Sequence, residues 1–326
     1  MQVPPQLSPS SISSFRTCPL AWRLDYVERL ERTPSLDANI GTFVHSVAEA
    51  LCGLPASRRT LDEARAAATA AWAHHVEDEE WQALQIPADR IPQVKWRAWR
   101  AVQRWFRLED PGAVTVAGCE LWVHGEVGGV AMRGIVDRLD VDDATGGFVV
   151  TDYKTGKMPM SSYQEERLFG VWVYAHLVAD EHRARPVTKV RHLYLGKRPG
   201  EVVRDVTPDA LAATAEVVAS THQEMLQACA TGEFETRESV LCGWCSFKAS
   251  CPAFGGDLLA LLATGPRRVD RRKPVDENQQ VLDMGGAGEA SPGPLPADGP
   301  PLVRSPAGAP RAGSPAALLG LAPAAG

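Results

Sequence analysis

Asp152 and Lys154 stand two residues apart in the run Thr151-Asp152-Tyr153-Lys154, and Asp137 closes the run Gly134-Ile135-Val136-Asp137. If both runs are strands, alternate side chains share a face. Asp152 and Lys154 then point the same way, and Asp137 can join them from a neighbouring strand. Two carboxylates and an ammonium in one place suit metal-assisted hydrolysis of a phosphodiester. Hard oxygen ligands favour Mg²⁺ or Mn²⁺, such a metal neutralises a phosphate, and a lysine beside it can orient a water and offset developing negative charge. Asp-x-Lys alone is a common tripeptide and serves equally as a solvated ion pair. Its position after Gly-x-x-Asp gives it weight.

Two further groups extend this set. His45 lies beside the apolar stripe of a predicted helix, where a histidine is either a satisfied core residue or a metal ligand. Glu120, on the first predicted strand, is a further ligand, a base, or an edge carboxylate. The cysteines form a separate pattern. Of the 7 in the chain, Cys242, Cys245 and Cys251 fall within ten residues. That spacing is a metal-site signal rather than a disulfide framework, and it leaves zinc and an iron–sulfur cluster both open. Cys52, Cys119 and Cys229 fit no ligand pattern and read as small buried hydrophobes.

The elements that must position these residues follow from periodicity. Serines ahead of Ile12 and Phe15 predict helix N-caps. Ile40, Val44, Val47 and Leu51 recur at helical spacing in a helix starting near Leu36. Further helices are predicted over Thr60–His75 and from about Pro92 to Leu108. The period then becomes two. Strands are predicted over Val114–Val123, Val130–Val141 and Phe148–Lys154, with turns at Gly128-Gly129 and Gly146-Gly147. A helix over roughly Tyr163–Ala179 follows, then strands over Lys189–Leu195 and Val202–Val206. Thr207-Pro208 opens a long helix to about Thr231.

The chain has 326 residues, 44% hydrophobic and 23% charged, an ordinary soluble composition. A net charge of -6 argues against a uniformly basic nucleic-acid binder but leaves room for a local basic groove. No apolar run is long enough to span a membrane and no signal layout opens the chain, so a cytoplasmic location is expected. Lys95, Arg97, Arg100, Arg104 and Arg107 alternate with Trp96, Trp99 and Trp105 on one predicted helix. That mixture suits single-stranded DNA, or else a helix with tryptophans in the core and arginines in solvent. Arg16 and Arg23 are open to the same two readings, and the run Arg267-Arg268, Arg271-Arg272-Lys273 reads as a solvated linker or a weak electrostatic arm. No phosphate-binding Gly-rich loop with Lys-Ser/Thr occurs, so any unwinding falls to a partner such as a helicase.

The order of motifs resembles that of the RecB-like PD-(D/E)XK nucleases. A Ser-rich helix with Cys18-Pro19 is followed by Gly41-Thr42-x-x-His45, Gly134-Ile-Val-Asp137, Asp152-x-Lys154 and the cysteine cluster. The set is similar to the AddB nuclease domain and the CRISPR-associated adaptation exonucleases. The resemblance implies an α/β, restriction-endonuclease-like core: a mixed central sheet flanked by helices, with an N-terminal helical region. It implies a nuclease domain over 1–256, with a helical insertion at about 55–110; beyond it, composition and the loss of periodicity predict a Pro/Gly/Ala-rich disordered tail over 257–326. His45, Asp137 and Asp152 would bind the metal, helped by the Tyr153 carbonyl, with Lys154 as the catalytic lysine and Tyr174 in the same site. Cys18 would join Cys242, Cys245 and Cys251 around a [4Fe-4S] cluster that staples the two ends of the chain. The implied activity is a metal-dependent exonuclease on single-stranded DNA ends in repair or recombination. One departure stands out. The family places a Gln four residues before a Tyr-Ala pair, and here Gly170 precedes Tyr174-Ala175. It motivates a second reading, a catalytically weak DNA-binding subunit of a repair or CRISPR adaptation complex.

Overall fold

The first helix shows how local chemistry fixes the start of the fold. Ser8 accepts from the Ser11 N–H at 3.1 Å and Pro9 takes the first helical position, so α1 spans Pro9–Thr17. A residue before proline is driven out of helical backbone. Cys18, ahead of Pro19, is accordingly extended at φ -161° and ψ 108°, and the chain turns into a short α2, Pro19–Trp22. A computed structural model describes residues 1–268 of the chain; the remainder of the tail, Arg271 to Lys273 included, lies outside the described residues.

Helices α3 (Leu36–Cys52), α4 (Leu61–His75), α5 (Glu79–Ala83) and α6 (Ile91–Leu108) follow. Ser35 and Thr60 cap α3 and α4 through side-chain oxygens. The sheet then begins with β1 (Val116–Val127) and β2 (Val130–Val141), joined at Gly128 and Gly129. Both glycines have positive φ, 59° and 74°, the backbone a two-residue hairpin turn requires. β3 (Phe148–Lys154), α7 (Gln164–Arg167), α8 (Phe169–Glu181), β4 (Val187–Tyr194) and β5 (Gly200–Asp205) complete the core. α9 (Pro208–Thr231) starts at the Thr207 cap and stops at Gly232, whose φ is 78°.

The five strands lie in the order β1-β2-β3-β4-β5. All neighbours are antiparallel except β3 and β4, which run parallel through the α7–α8 crossover. This is the mixed sheet of a restriction-endonuclease-like α/β fold. α8 packs across four strands and is apolar nearly all round, as a helix buried on its whole circumference must be; Val171, Val173, Leu177 and Val178 are fully buried. α3 and α6 pack together beside β1 and β2. Beneath them Arg138 is fully buried and binds Glu109, Asp140 and the Tyr153 hydroxyl.

Several segments differ from the expectation, among them β1, read over Val114–Val123 and observed over Val116–Val127. The helix read over Tyr163–Ala179 is two elements meeting at buried Leu168, so Gly170 sits in the first turn of α8. A Cβ there would meet only Pro9, at an ordinary 3.9 Å, so nothing around it demands glycine. Inside the segment read as tail from 257, Leu258, Leu261 and Leu262 of α10 (Leu258–Thr264) pack on a cluster of Leu20, Leu24, Leu30 and Phe247. A seven-residue helix has too few turns to show a period, which is why it escaped the sequence pattern.

Candidate active site

The site forms where β2 and β3 part. Their pairing runs from Val141 opposite Phe148 to Arg138 opposite Thr151. Asp137 is the first residue past the last pair, and its Oδ2 accepts the Tyr153 N–H at 2.8 Å. Divergence of the strands frees that N–H, and the carboxylate satisfies it. Next along β3, the Lys154 ammonium lies 2.8 Å from Asp152 Oδ1 and 2.6 Å from Oδ2. In the parallel register Asp152 faces His192 of β4, whose Nε2 is 3.8 Å from Oδ2.

α3 delivers His45 to the same place. One ring nitrogen lies 3.0 Å from the Tyr153 carbonyl oxygen. The other lies 3.4 Å from Asp137 and 3.8 Å from Glu120. Glu120 reaches inward from a strained backbone, since its φ of 49° is rare for a residue with a side chain. The ligand atoms of His45, Glu120 and Asp137 all lie within 4.8 Å of one another. His45 and Glu120, with Tyr153, Lys154, Thr155 and Gly156, line a cleft of about 470 Å³. On the α8 side, the Tyr174 ring packs directly on Gly134 and feels the charges of Asp152 and Asp137.

The electrostatics show what this cluster can hold. Burial and the charge of Asp152 together push the Asp137 carboxyl up, against the pull of His45. Burial works against the charged form of His45 too, but the bonds to Asp137 and Glu120 win and push it up to about 10. Burial likewise opposes charge at Asp152, and the Lys154 ammonium holds it below its usual range. Lys154 is raised in return, Asp152 and Asp137 outweighing burial. Tyr174 is raised by burial and by both aspartates, so its hydroxyl stays protonated. Crowded carboxylates that only an imidazolium and an ammonium neutralise, with hard oxygens and one imidazole facing a common point, fit a divalent cation.

The sequence-predicted residues His45, Glu120, Asp137, Asp152, the Tyr153 carbonyl, Lys154 and Tyr174 are all brought together. His192 was missed. It becomes legible once the β3–β4 register is known, because it then falls beside Asp152. Burial, the larger effect, pushes His192 down to about 4 despite that aspartate, so it stands behind Asp152 as a neutral ring.

The cysteines form a second site. Cys18, Cys242, Cys245 and Cys251 all line one cavity of about 200 Å³ floored by Leu20, Leu24 and Phe247. Burial, together with the three other thiols, pushes the Cys245 thiol up. The Ser239 N–H points at Cys242 Sγ at 3.4 Å. The four thiols thus face one cavity and offer the donor chemistry that a metal centre would use. Of the other three, Cys52 and Cys229 are buried and Cys119 is half-buried.

The basic residues read from sequence divide. Trp99 and Trp105 are buried in the core, whereas Trp96 is 37% exposed. Arg97 is tied to Asp37, Lys95 lies over Trp72 and Arg23 pairs with Glu28 at 3.1 Å. Arg16 lies over Phe169, Arg267 reaches Glu28 at 3.5 Å and Arg268 folds back onto Asp25 at 2.6 Å.

A mixed sheet with this acidic cluster and its Asp-x-Lys strand defines a class of metal-dependent nucleases. Residues 6–252 match the family model of the PD-(D/E)XK nuclease superfamily. The chain belongs to that superfamily, whose members use divalent metal ions. It is 27% identical over 279 residues to the Gene 69 protein of Mycobacterium phage D29, covering 77% of this chain and 97% of the phage protein. It is 24% identical over 298 residues to the Gene 69 protein of Mycobacterium phage L5, with the same coverage. Among solved structures it shares its fold with a protein from Eubacterium rectale provisionally described as an exonuclease. The TM-score is 0.52 at 13% identity, over 74% of this chain and 92% of the other. Among the described residues no helix is long and apolar enough to cross a membrane.

Proposed function

We propose that this protein is a DNA exonuclease that hydrolyses single-stranded ends in repair or recombination, with Mg²⁺ or Mn²⁺ at His45, Asp137 and Asp152. The convergence of these residues with Lys154 beside the diverging strands is the observation that carries the reading. Glu120 and the Tyr153 carbonyl complete the donor set. When bound, the cation supplies charge neutralisation and Lewis-acid polarisation of the scissile phosphodiester. Lys154, kept charged by Asp152, orients the attacking water and offsets negative charge as it develops on the phosphoryl oxygens. Tyr174, protonated and locked on Gly134, holds the substrate by donating a hydrogen bond. His192 stays neutral and fixes the position of Asp152.

The four thiols, Cys18 with Cys242, Cys245 and Cys251, would hold a [4Fe-4S] cluster, as the motif order of the family suggests, with zinc the alternative for the same donor set. The cluster would tie Cys18 to the C-terminal cysteines and close a loop over most of the chain. Trp96, exposed on α6, favours single strands, because an unpaired base can stack on it. Unwinding of a duplex would fall to a partner helicase. Incubation of the anaerobically purified protein with Mn²⁺ and end-labelled single- or double-stranded DNA tests the reading: the single strand is shortened first, and both substrates left intact would refute it.

A further inference from the structure

α6 and two loops carry cations that the catalytic cluster does not use. Arg100, Arg104 and Arg107 are spaced four and three residues apart, which places them on one helix face over about 10 Å. Arg107 is exposed and Arg100 and Arg104 are half-exposed. Lys157, in the loop after β3, and Lys197 and Arg198, in the loop after β4, are exposed as well. Among the described residues none of these six faces a carboxylate; Arg100 lies over the Trp96 ring and Arg104 donates to the Leu195 carbonyl at 3.2 Å.

These two groups of cations meet at the cleft. The Leu195 N–H donates to the Lys154 carbonyl at 2.7 Å, so Arg104 is one residue contact from the Lys154 backbone. The two loops touch, because a Cβ on Gly196 would overlap the Gly156 carbonyl. Gly156 in turn lines the cleft with His45, Glu120 and Lys154. Burial, and then the charges of Arg100 and Arg107, lower the pKa of Arg104, so the row is one of mutually repelling cations. In a chain of net charge -6, an uncompensated row of this kind costs stability and is relieved by a polyanion.

We propose that Arg100, Arg104, Arg107, Lys157, Lys197 and Arg198 form the track along which the phosphate backbone of a DNA strand runs into the cleft. The inference rests on the nuclease reading of that cleft and adds the route by which its substrate arrives. Phosphate contacts of this type set register and orientation without reading sequence, so the track serves strands of any sequence.

The test is fluorescence anisotropy with a labelled oligothymidine single strand, titrated with full-length protein carrying Asp152→Ala so that the strand stays whole. Arg100→Gln and Arg107→Gln are added, then Lys157→Gln, Lys197→Gln and Arg198→Gln, and the titrations are repeated across a range of salt. Each lost phosphate contact lowers the slope of log K against log salt by about 0.7, so removing five lowers it by about 3.5. Arg183→Gln, at an ion pair with Asp180 at the end of α8, leaves the slope unchanged. An unchanged slope in the five-fold variant, or an equal fall with Arg183→Gln, overturns the track. The two readings separate cleanly. A protein that binds along the track but cuts nothing would refute the nuclease and leave the track standing; cleavage with an unaltered salt slope would do the reverse.

Discussion

The ring of Tyr174 fills the space that any side chain at residue 134 would need: a Cβ built on Gly134 falls inside it. The glycine of the Gly-x-x-Asp motif therefore serves α8 rather than the turn geometry of its own strand. Gly134→Ala should push Tyr174 away from Asp137 and Asp152. A displacement of that size costs about 1–3 kcal/mol in stability and about 10²-fold in turnover. Thermal unfolding and single-turnover cleavage check both. In a Tyr174→Ala background, where the ring no longer occupies that space, Gly134→Ala should cost little further stability, while turnover stays low.

Arg138 has no exposed surface and holds two nearly buried carboxylates, Glu109 and Asp140, at 2.6 and 2.7 Å. Arg138→Met would strand Asp140 and leave Glu109 with Arg191 as its one remaining ion-pair partner among the described residues, and should destabilise by about 3–5 kcal/mol. The double change adding Asp140→Asn removes the stranded charge, and denaturant unfolding should show much of the loss restored.

Cys18 and the cysteines at 242, 245 and 251 lie at opposite ends of the described chain. Cys18→Ser should lose the bound metal and lower stability on the order of 4 kcal/mol, by analogy with a cross-link closing so long a loop. Elemental analysis of anaerobic protein should find about four irons per chain and no stoichiometric zinc; zinc without iron would replace the cluster with a tetrahedral site.

His192 makes stability depend on pH in a definite direction. Its folded-state value of about 4 lies below the unperturbed value near 6.5. The unfolded chain binds the proton first, so stability falls as pH drops from about 6.5 to about 4 and this contribution then levels off. His192→Gln should remove that part of the slope in urea titrations of metal-free protein. An identical slope in wild type and variant would show that His192 is not buried as a neutral ring.

Much of this was legible in the sequence, for reasons that particular residues make plain. β2 and β3 fall where they were read, Val130–Val141 and Phe148–Lys154, because glycine turns punctuate an alternating pattern. Ser8, Ser35, Thr60 and Thr207 mark helix starts through their own hydrogen bonds. Asp152 and Lys154 share a side because strand geometry requires it. What escaped depends on tertiary relationships. The inward reach of Glu120 comes from a backbone strain that no local pattern announces. His192 needs the parallel register, and the split between α7 and α8 turns on how Leu168 is buried. The meeting of Arg104 with the loop after β4 needs the packing of α6.

The central claim is that Asp152 and its neighbours hold a metal that cuts DNA. The most direct measurement is cleavage of end-labelled single-stranded DNA by anaerobically purified protein with Mn²⁺, wild type beside Asp152→Ala, each repeated with excess EDTA. The account predicts shortening of the strand by the wild type, its loss with EDTA, and a drop of at least about 10³-fold in Asp152→Ala. Equal cleavage by the two proteins, or an intact strand with folded wild-type protein and its cysteine cluster loaded, would contradict it.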